Sequence, residues 1–322
     1  MILELPYVKN RRKWNPGALF IVLIASLTGL GFIRSTKIKR ISPVFQQSYG
    51  MPLAYTGELH ILTYNIAGLP EIISSAKTKR DSSIQHIGRK LNAFDIVNVQ
   101  EDFHYNAFLY KENAHPYRSP STGTVPFGDG LSTLSKYPIV KFERVAWQAC
   151  NGADCLTPKG FTMARIQLAE AVFVDVYNVH ATAQDDRNAT KARQKNLKQL
   201  IKYIRKYSSG HALLLLGDFN AHYQNSNDNI LDFQQQLRLH DSWIELQQTG
   251  VFPDKQDDFV ALDALAVTDM TESIDKIFYR STTELRFVPV AYKIENQLFT
   301  TPSGEPLSDH CAVSLRLTWQ RF

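Results

Sequence analysis

Eight short β-rich apolar runs, each ending in or running into polar residues, constrain this chain more than any other feature. They are Leu59–Ile66, Asp95–Gln100, Gly130–Leu134, Phe161–Leu168, Val172–Val179, Ala212–Leu216, Lys276–Tyr279 and Cys311–Trp319. Several alternate with period two, as half-buried strands do: Val172, Val174, Val176 and Asn178 share one face, and Phe173, Asp175 and Tyr177 the other. Helical spacing appears between the runs. Ile84, Ile87 and Leu91 follow Asp81-Ser82-Ser83, which offer capping side chains, and Leu197, Leu200, Ile201 and Ile204 form an apolar stripe on a basic, Gln-rich helix. Strands interleaved with helices, without an internal repeat, predict one continuous α/β domain from about residue 58 to the end.

A chain of 322 residues buries a sizeable core without staples, and three cysteines cannot build a disulfide scaffold. With 44% hydrophobic and 21% charged residues, disorder, collagen and coiled coil are excluded. The net charge of +5 is local. Residues 1–40 hold eight Lys/Arg against Glu4 alone, which leaves 28 basic and 30 acidic residues in 41–322. A nearly neutral domain argues against a protein that grips many nucleic-acid phosphates, because that task needs a basic face.

From Trp14 to Ile33 there are 20 residues without a charge, long enough as a helix to cross about 30 Å of hydrocarbon. Lys/Arg clusters flank both ends and no A-x-A cleavage site follows, so an uncleaved anchor is favoured over a signal peptide or a buried core helix. The expected organisation is a basic tail (1–13), a single transmembrane anchor (14–33), a linker (34–57) containing Pro43, Gly50, Pro52 and Gly57, and a catalytic domain (58–322). Four Lys/Arg precede the anchor and four follow it, so charge does not orient it. Two features tilt the domain to the non-cytoplasmic side: Cys150 and Cys155 could form a disulfide around a short loop, and Asn188-Ala189-Thr190 is a glycosylation acceptor pattern.

The strand-terminal residues carry the chemistry. One run passes through Asn65, one leads to Glu101, one to His180, and one enters Gly217-Asp218-Phe219-Asn220; Ser308-Asp309-His310 precedes the last. Each alone has a bland reading as a turn former, helix cap or sheet-edge histidine. Gathered in one cleft, they supply the hard oxygen ligands that Mg²⁺ prefers and two histidines for proton transfer. No cluster has zinc spacing. The inventory suits metal-assisted attack on a phosphate ester.

Leu62-Thr63-Tyr64-Asn65, Val99-Gln100-Glu101, Asn178-Val179-His180, Gly217-Asp218-Phe219-Asn220, Ile274-Asp275-Lys276-Ile277-Phe278 and Ser308-Asp309-His310 resemble, in order, the motif series of the endonuclease/exonuclease/phosphatase superfamily. That resemblance covers roughly residues 58–320 and implies the deoxyribonuclease I-like fold, a four-layer α/β/β/α sandwich. Gly128–Ile139 and Asp154–Phe161 are similar to segments of its neutral sphingomyelinase branch. The inositol-polyphosphate phosphatase branch has Cys-Asp-Arg where this chain has Ile274-Asp275-Lys276.

The resemblance further implies roles. Glu101 with Asn65 would hold Mg²⁺ or Mn²⁺, and Asp309 would join a second metal site. His310 would be the general base, oriented by Asp275. Asp218 and Asn220 would position water and phosphoryl oxygens, His180 would donate to a phosphate oxygen, and Lys159 would touch substrate. The implied substrate is a phospholipid headgroup of the sphingomyelin kind, met at a membrane held by the amino-terminal helix. A nuclease of the same fold and a catalytically inactive tethered binding protein are the alternatives. Choline recognition would want an aromatic cage, for which Tyr117, Phe127 and the segment Phe252–Met270 are the candidates.

Overall fold

A computed structural model describes residues 49–322 of the chain. The expected tail, the anchor 14–33 and the linker up to residue 48 lie outside the described residues. Among the described residues no helix is long and apolar enough to cross a membrane.

The strands are β1 (Thr56–Asn65), β2 (Ile96–Gln100), β3 (Tyr117–Arg118), β4 (Ser132–Ser135), β5 (Ile139–Ala146) and β6 (Gly160–Ala169), followed by β7 (Val172–His180), β8 (Leu213–Asp218), β9 (His240–Asp241), β10 (Asp275–Arg280), β11 (Leu285–Ile294) and β12 (Val313–Arg321). They form two six-stranded mixed sheets ordered β11-β12-β1-β2-β4-β3 and β5-β6-β7-β8-β10-β9. Five helices accompany them among the described residues: α1 (Arg80–Lys90), α2 (Asn106–Lys111), α3 (Arg187–Tyr207), α4 (Ile230–Leu237) and α5 (Ser242–Gln247). The result is an α/β sandwich.

Both helical stripes go where their periodicity directs them. Ile84, Ile87 and Leu91 of the α1 region pack with Leu62, Tyr64, Val97 and Val99 of the first sheet. Leu197, Leu200, Ile201 and Ile204 of α3 join the larger core with Val174, Val176 and Leu213–Leu216 of the second. Each buried aliphatic side chain contributes about 1.5–3 kcal/mol, so the stripes rather than intrinsic propensity decide these helices. Asp186 caps α3 by accepting from the Asn188 and Ala189 amides at 2.9 and 3.2 Å.

The start of α1 differs from expectation. The helix begins at Arg80, so Asp81, Ser82 and Ser83 lie in its first turn and none caps it. Glu71, nine residues upstream, accepts from the Arg80 amide instead at 2.9 Å. Two long strands also escaped the apolar pattern. β5 carries Lys141, Glu143 and Arg144, which interrupt its apolar run and find partners only in the folded chain. β11 is an edge strand with a register shift at Pro289, a residue that cannot donate to the ladder. The end of the expected linker belongs to the domain: Tyr49 exchanges two 3.1 Å hydrogen bonds with the Gln167 side chain, and Thr56 and Gly57 pair with Gln320 and Trp319. Cys150 and Cys155 are disulfide-bonded, with Cα atoms 5.2 Å apart.

Candidate active site

Each sheet contains one parallel strand pair, and the ends of the two pairs converge. Asn65 is in register with Gln100 in β1–β2, and His180 with Asp218 in β7–β8. β10 runs antiparallel to β8, which sets its first residue, Asp275, opposite Asp218. β12 runs antiparallel to β1 with Val313 opposite Thr63, so Ser308-Asp309-His310 arrives at the end of β1. Ser308 Oγ donates to the Asn65 carbonyl at 2.7 Å and pins that meeting point.

A buried amide seam joins the sheets beneath. Gln100 Nε2 donates to Asn178 Oδ1 at 2.7 Å, Asn178 Nδ2 to the Val99 carbonyl at 2.9 Å, and Asn98 Nδ2 to the Tyr177 carbonyl at 2.8 Å. Satisfied buried amides of this kind hold one sheet in a single register against the other. Glu101 then turns into the cleft at a φ of 59°, a left-handed conformation uncommon for a residue with a side chain. Gly130 permits the approach, because a Cβ there would meet the Phe103 ring at 2.7 Å and Glu101 Cα at 3.0 Å.

Asn65 Nδ2 donates to Glu101 Oε1 and to Asp218 Oδ2, both at 3.2 Å. His180 Nε2 lies 3.5 Å from Asp218 Oδ2 and 4.0 Å from Glu101 Oε1. His310 Nδ1 and Asp275 Oδ2 are hydrogen-bonded at 2.8 Å, which leaves Nε2 for a reacting molecule. Asn220, at a φ of 49°, donates its backbone N–H to Asp218 Oδ1 at 3.0 Å and its side-chain nitrogen to the Ala181 carbonyl at 3.3 Å. Asp309 Oδ1 is 3.4 Å from Ser308 Oγ.

Burial and crowding set the charges. Burial raises the Glu101 carboxyl, partly opposed by Lys159. Burial first, then the charge of Asp275, raises Asp218 to about 7. Burial pulls the His310 imidazole down, but Asp275, Asp218 and Asp309 outweigh it and raise the group to about 10. His180 moves far the other way, lowered by burial and then by Lys159 and His310, so it stays neutral. Of the nine sequence-predicted residues, Lys159 pairs its ammonium with Asp154 at 2.9 Å and reaches the cluster through its field.

The residues present fit a hard divalent cation. Asp218, Asp275 and His310 offer ligand atoms that lie within 4.8 Å of one another, and Asp275 Oδ1 is buried with no hydrogen-bond partner. Oxygen donors whose own field resists ionisation are the donor set that Mg²⁺ neutralises. Asn65 presents its nitrogen to Glu101, while its Oδ1 accepts from the Ala67 amide at 3.1 Å; ligation through that oxygen requires the amide to turn over and give up this bond.

Three groups escaped the sequence reading. Arg80 is 1% exposed and donates to the carbonyls of Ile66, Ala67 and Leu307, fastening the chain after Asn65 to the chain before Ser308. Its one signal was a cation opening a helix, against the macrodipole. Arg144 grips Asp129 at 2.6 and 2.7 Å and so anchors the turn that carries Gly130. The third group is the amide seam. Of the proposed aromatic elements, Tyr117 packs edge-on to Tyr49 with centroids 5.5 Å apart, and Phe127 is 81% exposed. Phe252 and Phe259 line a groove of 520 Å³ with Trp243.

Residues 70–271 match the family described as Endonuclease/Exonuclease/phosphatase family 2. The chain belongs to this family. Within reach of that assignment, the chain is 38% identical over 262 residues, 79% of its length, to the sphingomyelinase of Mycobacterium tuberculosis. The match takes in 51% of that relative, so the chain spans about half the length of the curated relatives it matches. Sphingomyelinase C from Streptomyces griseocarneus has the same fold, with a TM-score of 0.56 at 19% identity over 81% of this chain and 99% of that one. A beta toxin variant from Staphylococcus aureus with bound magnesium ions superposes with a TM-score of 0.56 at 17% identity, over 80% of this chain and 99% of that one.

Proposed function

We propose that this family member is a Mg²⁺-dependent phosphodiesterase that hydrolyses a phospholipid headgroup ester of the sphingomyelin kind. One observation carries the reading: the His310–Asp275 pair, at 2.8 Å, belongs to the same buried cluster as Asp218, while Asn65 ties Asp218 to Glu101. The named mycobacterial relative supports the substrate class, and the magnesium-bearing structural neighbour supports the choice of ion.

Glu101 and Asp218, with Asp275 Oδ1 and Asp309 beside them, are the residues that would hold the ion, with Asn65 once its amide has turned. When bound, the ion neutralises charge that develops on the phosphoryl oxygens. His310 takes the proton of the attacking water at Nε2, and Asp275 fixes the tautomer through Nδ1. That role requires a neutral imidazole. The surrounding carboxylates that raise His310 are those whose charge a divalent ion would offset, which would bring the imidazole back toward the neutral form a base needs. Neutral His180 donates from Nε2 to a phosphate oxygen at the point where it now faces Glu101 and Asp218. Asn220 and Asp218 align the water and the phosphoryl group. Lys159 supplies positive charge to the anionic substrate.

The reading includes tethering. The uncharged stretch 14–33 supports a membrane anchor, and the Cys150–Cys155 disulfide supports a domain on the non-cytoplasmic side. A substrate panel tests the function: sphingomyelin, a phosphoinositide and plasmid DNA, each with Mg²⁺ and with chelator. Mg²⁺-dependent release of phosphocholine from sphingomyelin is expected. Cleavage of DNA alone, or turnover that survives chelator, overturns the proposal.

A further inference from the structure

Helix α3 carries eight Lys/Arg and no acid, whereas the rest of residues 41–322 has 20 basic residues against 30 acidic. Its apolar stripe is used in the core, and its buried Arg193 is taken up by Asp228 at 2.8 Å and Asp185 at 3.2 Å. Arg205 donates to the Gln236 carbonyl at 3.1 Å, and of the six others Lys195, Lys198, Lys202 and Lys206 form a row. Their spacings of three and four place them on one face of the helix, along about 17 Å at 1.5 Å per residue. Among the described residues none of the four pairs with a carboxylate.

These lysines line a groove of 580 Å³ together with Tyr203 and Tyr207, and Lys206 Nζ stands 5.0 Å from the Tyr207 ring centroid. The facing wall is held by the helix itself. Gln199 accepts from the Gln148 amide and donates to the Ala146 carbonyl, each at 2.9 Å. Asn196 donates to the Ala149 carbonyl at 2.9 Å and accepts from Thr182, two residues past His180. The groove is therefore preformed and tied to the segment that leaves the candidate active site.

We propose that the Lys195–Lys206 face of α3 docks the catalytic domain on a lipid surface bearing anionic headgroups. A short row of unpaired cations flanked by tyrosines complements phosphates spread in a plane, and each such lysine strengthens attachment about fivefold. A nucleic acid would need a basic track leading to the reacting centre, and the surroundings of Asp218 and Asp275 are acidic instead. The inference rests on the lipid-phosphodiesterase reading and adds to the proposed anchor a face that holds the catalytic domain against the lipid surface.

The experiment compares the full chain with its K198Q/K202Q variant. Partitioning is measured in chelator on vesicles of phosphatidylcholine alone and of phosphatidylcholine with phosphatidylserine. Two lost lysines predict about a 30-fold loss of the phosphatidylserine-dependent part, with weakening of the parent's binding as salt rises. Turnover of a soluble phosphodiester should be unchanged in the variant. Equal partitioning of parent and variant, or a variant that loses only DNA binding, overturns the docking surface. Absence of turnover by the parent on any lipid removes the functional reading and leaves the vesicle comparison standing.

Discussion

Replacement of Arg80 probes how the site is assembled. Its guanidinium donates to the Ile66 carbonyl at 2.6 Å, the Ala67 carbonyl at 3.1 Å and the Leu307 carbonyl at 2.9 Å. Hydrogen bonds to a charged donor contribute about 1.5–3 kcal/mol each, but burial also penalises the guanidinium, whose pKa is lowered for that reason. Arg80→Ala takes the guanidinium from the buried Ile66 and Leu307 carbonyls, while the Ala67 carbonyl keeps Ser74 Oγ at 3.3 Å. A net loss of about 3–5 kcal/mol follows, or roughly 10 °C in Tm for a domain of this size. Arg80→Lys keeps the charge but lacks the planar fork that reaches two chain segments at once. It should lose less stability and still let Asn65 drift from His310; a misplacement near 1 Å costs about 10²-fold in turnover. The assays are thermal melts followed by circular dichroism and kcat on the phosphodiester substrate. An Arg80→Ala protein that melts within about 2 °C of the parent and turns over normally would refute the clamp.

Further outcomes are expected from the cluster. His310→Ala should fold, by circular dichroism, and lose about 10²–10⁴ in kcat; activity within tenfold of the parent removes its role as base. In chelator, stability should fall as pH rises from about 7 to 10, above the range in which the burial-lowered histidines, His180 among them, act in the opposite sense. His310 is raised to about 10 in the fold, so its contribution is complete below its ordinary value of 6.5 and vanishes as pH climbs through 10. Asp218, raised to about 7, acts in the same direction between its ordinary 3.8 and 7. Melts that rise with pH between about 7 and 10 contradict the His310 contribution, and Asp275→Asn should flatten the fall there. Mg²⁺ at 100 times its Kd should stabilise the protein by about 2.7 kcal/mol, and Glu101→Gln should abolish most of that shift. An undiminished shift in the variant places the ion elsewhere.

Much of the architecture could be read from the chain because period is a local property. All eight apolar runs coincide with strands to within a few residues, and both helical stripes are buried as their spacing requires. β5 and β11 stayed hidden because their burial depends on partners, an ion pair for Arg144 and an exposed edge for Val288 and Val290. The capping of α1 was misassigned for the same reason: Glu71 acts from outside the helical window.

The candidate site divides along the same line. Residue type and order announced Asn65, Glu101, His180, Asp218, Asn220, Asp275, Asp309 and His310, since carboxylates, amides and histidines at the tips of apolar runs are chemically conspicuous. Their meeting was a matter of tertiary structure. Residues 65 and 310 are brought together by an antiparallel ladder, a serine bond and one buried guanidinium, all contacts between segments more than 200 positions apart. Charge state belongs there too, because burial and neighbours, absent from a linear reading, drive His180 and His310 in opposite directions. Patterning of side chains along the chain determines which elements form and which groups are available; only packing decides which groups share a field, and hence what each can do.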